Sequence, residues 1–162
     1  PGLGLGSEFV VRLPAGTVPA TKGVIRLPVG GDARNLRVVQ VEDNADIRDL
    51  MSSLLEQLGC TIEVAADGLE GVDRIVRSLP DLAIVDIGLP GMDGFEVARR
   101  VRAAINGQVL LVAVTGYGRA QDRDLALAAG FDRHITKPVY AETLRALLDE
   151  ARNRRDATAA VG

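Results

Sequence analysis

Asp86 closes the apolar run Leu82-Ala83-Ile84-Val85 and opens directly into Ile87-Gly88-Leu89-Pro90-Gly91-Met92-Asp93-Gly94. Such a run reads as a strand buried on both faces, and a carboxylate at its C-terminal end sits where open α/β sheets bind their ligands. A second apolar run, Val38-Val39-Gln40-Val41, ends the same way in Glu42-Asp43. Carboxylates gathered at two strand ends repel one another unless a cation lies between them. Thr115 closes a further run and Lys137 another, which adds a hydroxyl and an ammonium to the same edge of a parallel sheet. Hard carboxylate oxygens suit Mg²⁺, which keeps several waters and takes one or two carboxylates plus a phosphoryl oxygen. A hydroxyl and an ammonium beside that metal serve the remaining oxygens of a transferring phosphoryl group. An aspartate among them can itself be the nucleophile, giving an acyl phosphate.

The elements that must hold these groups follow from the hydrophobic pattern. From Leu36 onward short apolar runs alternate with amphipathic stretches, the rhythm of βαβ units in a parallel sheet. Strands are expected at Arg37–Val41, Thr61–Ala65, Leu82–Asp86, 109–115 and 134–137. Asn44 caps the first helix, whose stripe is Ile47, Leu50, Met51, Leu54, Leu55 and Leu58, and Gly59 ends it. Asp67-Gly68 leads into a second helix carrying Leu69, Val72, Ile75, Val76 and Leu79, stopped by Pro80. Asp93 caps the third, with Phe95, Val97, Val101 and Ile105 inside. A fourth runs near Ala120–Ala129 before Gly130, and Leu144, Leu147 and Leu148 face inward from the last. Strict alternation of this kind gives a doubly wound α/β sheet with helices on both faces.

Composition bounds the function. The chain has 162 residues, room for one ordinary domain and something extra, and at 47% hydrophobic and 25% charged it is globular. A net charge of −3 and a pI near 5.2 leave no electrostatic footprint for nucleic acid or an anionic membrane. Arg145, Arg152, Arg154 and Arg155 gather where a helix C-terminus favours cations. Cys60 is the only cysteine, so no disulfide framework or thiolate cluster exists, which suits a reducing cytosol. No apolar stretch approaches a membrane span and no signal peptide opens the chain. The expected location is the cytoplasm, with a parent protein that could be membrane-anchored.

Taken singly, each site residue has an ordinary structural explanation. Glu42-Asp43-Asn44 suits a helix N-terminus, Thr115 a strand, Lys137 a solvated surface, and Gly88-Leu89-Pro90-Gly91 a turn. Their joint placement is what carries the chemistry. With it, residues 36 to about 152 resemble the receiver domain of two-component response regulators over essentially the whole domain. The resemblance implies a flavodoxin-like fold of five parallel strands in the order 2-1-3-4-5. It implies Asp86 as phosphoacceptor, and Mg²⁺ held by Asp43, Asp86 and the Gly88 backbone carbonyl, with Glu42 acting through the metal's water shell. Thr115 would hydrogen-bond the phosphoryl group and Lys137 would pair with it, after a Lys137-Pro138 peptide bond expected to be cis.

Two positions refine that pattern. The residue two before Thr136-Lys137-Pro138, commonly a switch aromatic in this family, is His134. It either fills the aromatic slot or rotates toward Thr115 on phosphorylation, as a side chain whose charge can change near neutrality. Gly88 and Tyr117 stand two after the phosphoacceptor and two after the threonine, where receivers tend to set access of the hydrolytic water. A bulky Tyr117 predicts a long-lived phosphoryl group. His134 is the only histidine and lies on a strand, so the donor must be another protein, another domain or a small molecule.

Residues 1–35 do not share the rhythm. The stretch Gly2-Leu3-Gly4-Leu5-Gly6-Ser7-Glu8-Phe9-Val10-Val11-Arg12-Leu13-Pro14 resembles the closing strand of a histidine-kinase ATP-binding domain. That makes 1–13 the remnant of an upstream kinase domain, or a scar of cloning at Gly-Ser-Glu-Phe. A Pro- and Gly-rich linker at 14–35, a receiver at 36–153 and a tail at 154–162 complete the expected organisation, that of a hybrid sensor histidine kinase. The expected partners are a histidine kinase or histidine phosphotransfer protein as donor, and a second copy through the fourth helix, fifth strand and fifth helix. With no room for a DNA-binding domain after the last helix, output is expected through phosphorelay, a phosphoryl sink or control of a kinase. The functional expectation is a phosphoacceptor that catalyses its own phosphorylation and slow dephosphorylation. The alternative is a docking module of the same fold that works without phosphorylation. An aspartyl-phosphate phosphatase would want a second aspartate two residues after the nucleophile, where Gly88 stands.

Overall fold

The apolar runs become strands and the amphipathic stretches become helices in a computed structural model that describes residues 36–105, 107–116 and 120–160. In chain order they are β1 (Arg37–Val41), α1 (Ala45–Gln57), β2 (Thr61–Ala65), α2 (Gly68–Ser78), β3 (Leu82–Asp86), α3 (Gly94–Ala104), β4 (Leu110–Thr115), α4 (Ala120–Ala129), β5 (Arg133–Thr136) and α5 (Ala141–Ala159). All pairings are parallel and the order is β2-β1-β3-β4-β5. Both match the sequence expectation; β4 and β5 each differ from it by a residue at their ends. The remnant or scar at 1–13, the linker at 14–35 and Tyr117 lie outside the described residues.

Alternation along each strand sorts the core into two layers. Val39, Val41, Ala83, Val85, Leu111 and Ala113 meet Ile75 of α2, Val97 and Val101 of α3, and Ala126 of α4. Val38, Leu82, Ile84, Leu110, Val112 and Val114 meet Met51 and Leu55 of α1 and Leu144, Leu147 and Leu148 of α5. Strands β3 and β4 are therefore buried at every position, whereas the edge strands β2 and β5 show side chains to solvent.

Helix termini follow the sequence signals. Asn44, Asp67 and Asp93 cap α1, α2 and α3, accepting from Ile47 N, Glu70 N and Glu96 N at 3.1, 2.8 and 2.8 Å. Two expectations need correction. Leu50 and Leu69, assigned to inward stripes, are each 65% exposed, because Met51 with Leu55, and Ile75 with Gly71, already fill the contact with the sheet; Leu79, assigned to the same stripe as Leu69, is the left-handed cap just past α2 and is 40% exposed. Helix α5 also continues through Ala159, beyond the tail boundary placed at 153. The arginines assigned to its end carry that extension: Arg154 pairs with Asp132 at 3.1 Å and Glu150 at 3.6 Å, and Arg155 approaches Asp81 at 3.7 Å.

Cys60 is a buried small hydrophobe just before β2. Burial pushes its thiol up to about 11, with Arg152 pulling it down and Asp81 up by smaller amounts. Since the thiolate is the nucleophile, native protein at pH 8 should react with iodoacetamide about 100-fold more slowly than unfolded protein. Intact mass over time checks this; equal rates would show an accessible, ordinary thiol.

Candidate functional site

The strand order places the site. The chain leaves β1 for α1 on one face and β3 for α3 on the other, so a crevice opens between their C-terminal ends. Glu42 and Asp43 follow β1, and Asp86 ends β3. Glu42 and Asp86 are buried, at 3% and 8% exposure, while Asp43 is exposed. The three carboxylates each offer an oxygen within 4.8 Å of the others.

Lys137 answers that concentration of charge. Its Nζ donates to Glu42 Oε2 and to Asp86 Oδ2, both at 2.8 Å. The Lys137–Pro138 peptide is cis, and Lys137 N donates to Thr115 O at 2.8 Å, so the lysine continues from β5 beside β4. Burial pulls its ammonium down, but the hydrogen bonds and charges of Asp86 and Glu42 outweigh this and hold it above the ordinary lysine value. It is a permanent cation at neutral pH.

The remaining bonds aim the carboxylates. Asp86 Oδ1 accepts from Gly88 N at 3.1 Å, and Glu42 Oε1 from Asn44 N at 3.3 Å. Glu42 N donates to Ala65 O of β2 at 3.1 Å. Behind Asp86 the loop turns so tightly that a Cβ at Gly94 would stand 2.5 Å from Asp86 O and 2.8 Å from Ile87 Cα. Only glycine allows that approach, and it lets Gly94 N donate to Ile87 O at 3.1 Å, which fixes the backbone that carries Asp86.

Thr115 ends β4 beside β3, with Asp86 in register with Val114. Its Oγ1 lies 2.9 Å from His134 Nε2. His134 therefore already touches Thr115 here, in a partly buried slot where that hydroxyl is a polar partner for the imidazole. The site residues expected from sequence and described by the structure thus lie at one end of the sheet: Glu42, Lys137, Asp86 and Gly88 in one bonded group, Thr115 with His134 in another, and Asp43 beside the first through the carboxylate cluster. Sequence reasoning passed over Arg48, whose Nη1 donates to Glu42 O at 2.8 Å and to Asp43 O at 3.3 Å. The available signal was an arginine in the first turn of a helix, where the dipole favours anions.

The donor set is three carboxylates, all hard oxygen, and it needs a cation strongly enough to draw in a lysine. That chemistry fits Mg²⁺.

Comparison with known proteins agrees with the geometry. The family model described as the response regulator receiver domain matches residues 38–149. An uncharacterized 14.6 kDa protein from the sodA1 3′ region of Leptolyngbya boryana is 41% identical over 103 residues, covering 63% of this chain and 79% of that one. The virulence transcriptional regulatory protein PhoP of Salmonella typhimurium is 35% identical over 76% of this chain, which spans 55% of PhoP. The regulator RpaA of Synechocystis is 32% identical over 74% of this chain and is spanned to 50% of its length. The chain thus covers about half of these two relatives. Among solved structures, the receiver domain of the Pseudomonas aeruginosa sensor histidine kinase PA1611, which holds a magnesium ion in its active-site cleft, aligns with a TM-score of 0.66 and 30% identity over 72% of this chain and 96% of that one. A CheY-like receiver domain protein from Methanospirillum hungatei gives 0.66 and 33% over 73% and 97%. A family match that begins in β1 and ends within α5 leaves one conclusion: the chain belongs to the response regulator receiver domain family of two-component signal transduction.

Proposed function

We infer that this domain is a Mg²⁺-dependent phosphoacceptor that takes a phosphoryl group from a phosphohistidine onto Asp86. The observation that carries the reading is the Lys137 ammonium bound to Glu42 and Asp86 at once, in a cluster with Asp43. Buried carboxylates converging on one cation are costly unless the charge serves a purpose. Asp86 attacks the phosphorus through a carboxylate oxygen; the O–P bond forms as the donor's N–P bond breaks, and the leaving imidazole keeps the electron pair and takes a proton from solvent. Gly88 N–H steadies the other carboxylate oxygen, Lys137 passes from Asp86 Oδ2 to a phosphoryl oxygen, and the Thr115 hydroxyl donates to another. Magnesium held by Asp43, Asp86 and the Gly88 carbonyl, with Glu42 behind its waters, would offset the negative charge gathering there.

The donor is a histidine kinase or histidine phosphotransfer protein, and a hybrid-kinase parent remains part of this reading. Exposed Leu125 and Leu127 on α4 and Tyr140 before α5 offer apolar surface for a partner or second copy on the α4–β5–α5 side. No described helix is long and apolar enough to cross a membrane.

The test is intact mass after incubation with acetyl phosphate and Mg²⁺. One added phosphoryl group, labile to hydroxylamine and lost with EDTA, is expected. No gain from acetyl phosphate or from a phosphorylated histidine phosphotransfer protein would favour the docking module.

His134 is proposed to set the direction of the Thr115 hydroxyl. When Nε2 lacks a proton, Thr115 donates to it; when Nε2 carries one, the hydroxyl proton can turn to the phosphoryl group. His134→Phe removes this competing acceptor and should raise the acetyl phosphate reaction rate by about twofold to tenfold, the net worth of about one hydrogen bond. An unchanged rate would leave His134 as filler of the aromatic slot.

A further inference from the structure

The loop after β1 must project two carboxylates from adjacent residues toward one point, and a strand end does not impose this by itself. The last β1 residue pairs with Ala65 and Val85, and beyond it the ladder stops. The carbonyls of Glu42 and Asp43 then need other partners. Both find the same one: Arg48 Nη1, at 2.8 and 3.3 Å. Arg48 is anchored in turn, because its own N–H donates to Asn44 O at 3.0 Å within the first turn of α1.

The charge of Arg48 makes this placement informative. A cation near a divalent-metal site opposes metal binding by Coulomb repulsion, and at the helix N-terminus it also faces the positive end of the dipole. Two electrostatic penalties at one position call for a compensating role. We propose that Arg48 is a positioning residue that clamps the Glu42 and Asp43 carbonyls, and so pre-sets both carboxylates for the divalent cation; this rests on the Mg²⁺ reading above. The guanidinium suits the task because its planar fork holds donors in fixed directions, which a lysine ammonium does not.

The two contributions of Arg48 predict opposite signs, so the experiment is decisive. Isothermal titration of Mg²⁺ into wild type, Arg48→Met and Arg48→Lys should show about tenfold weaker binding for Met, the low end of losses when groups that orient metal ligands are removed. Lys keeps the charge but not the fork and should fall between. Phosphorylation by acetyl phosphate at saturating Mg²⁺ should return to within about twofold of wild type in both variants, since the clamp acts on metal affinity. Binding by either variant as tight as, or tighter than, wild type would overturn the inference and leave Arg48 as a charge only. No Mg²⁺ binding by wild type would overturn the parent reading and this inference with it. Should Arg48→Met unfold, Arg48→Lys decides alone, because a role through charge predicts wild-type affinity for it.

Discussion

Asp86→Asn is expected to abolish phosphoryl incorporation from acetyl phosphate, with no added mass under conditions where wild type gains one phosphoryl group. An amide oxygen is a poor nucleophile, so the loss is chemical. The fold should survive, for reasons visible around the residue. An Asn at this position keeps an oxygen that can accept from Gly88 N, which lies 3.1 Å from Asp86 Oδ1. Lys137 keeps Glu42 as a partner at 2.8 Å. One negative charge leaves a cluster of three carboxylates served by one bonded ammonium, which relieves repulsion. The melting temperature of the metal-free variant should therefore equal or exceed that of wild type. Calorimetry beside the mass measurement separates the cases: a variant that both fails to phosphorylate and melts well below wild type would mean that Asp86 is needed for folding, and the chemical assignment would lose its support.

Much of this was legible before the fold was seen, because strands buried on both faces declare themselves as unbroken apolar runs. Leu82–Asp86 reads that way, and its terminal carboxylate is an exception that packing does not explain. Parallel order then converts strand ends into one edge, so strand order alone gathers Glu42, Asp43, Asp86, Thr115 and Lys137. What escaped the sequence was information about faces and distant pairs. Leu50 and Leu69 carry the correct type for a helix stripe, yet the arc of helix that meets a sheet is narrower than the stripe, and both stay exposed. Arg48 looks like an ordinary helix-surface cation until its guanidinium is seen on two carbonyls. Asp132, which accepts from Leu111 N at 2.8 Å and Arg102 Nη2 at 2.6 Å, joins β4 to α3 through residues 21 and 30 apart. It leaves no periodic trace. The direction of His134 toward Thr115 was likewise a matter of rotamer.

Lys137→Met should act in the opposite sense to Asp86→Asn on stability, though both remove one charge from the same site. Methionine fills similar volume but leaves Glu42 Oε2 and Asp86 Oδ2 without the donor that lies 2.8 Å from each. Breaking a buried pair from one side costs about 3–5 kcal/mol when burial is complete. The lysine side chain is 23% exposed and the carboxylates 4% and 10%. Partial access to water reduces that cost, and about 2 kcal/mol is expected, or about 5–10 °C in melting temperature for a domain of this size. Magnesium should reverse the loss. In wild type the ion competes with the ammonium for the charge of two of the three carboxylates, whereas in the variant it meets them uncompensated and binds more tightly. A ligand at 100 times its Kd stabilises by about 2.7 kcal/mol, enough to restore the variant. Calorimetry with and without Mg²⁺ should then give a larger metal-induced shift for Lys137→Met than for wild type, while acetyl phosphate labelling falls because the phosphoryl oxygens lose their ammonium. Equal shifts in the two proteins would show that lysine and metal do not share the carboxylates. The contrast with Asp86→Asn comes from charge balance: among the described residues the cluster has carboxylates to spare and a single bonded ammonium, so losing the cation is the costlier change.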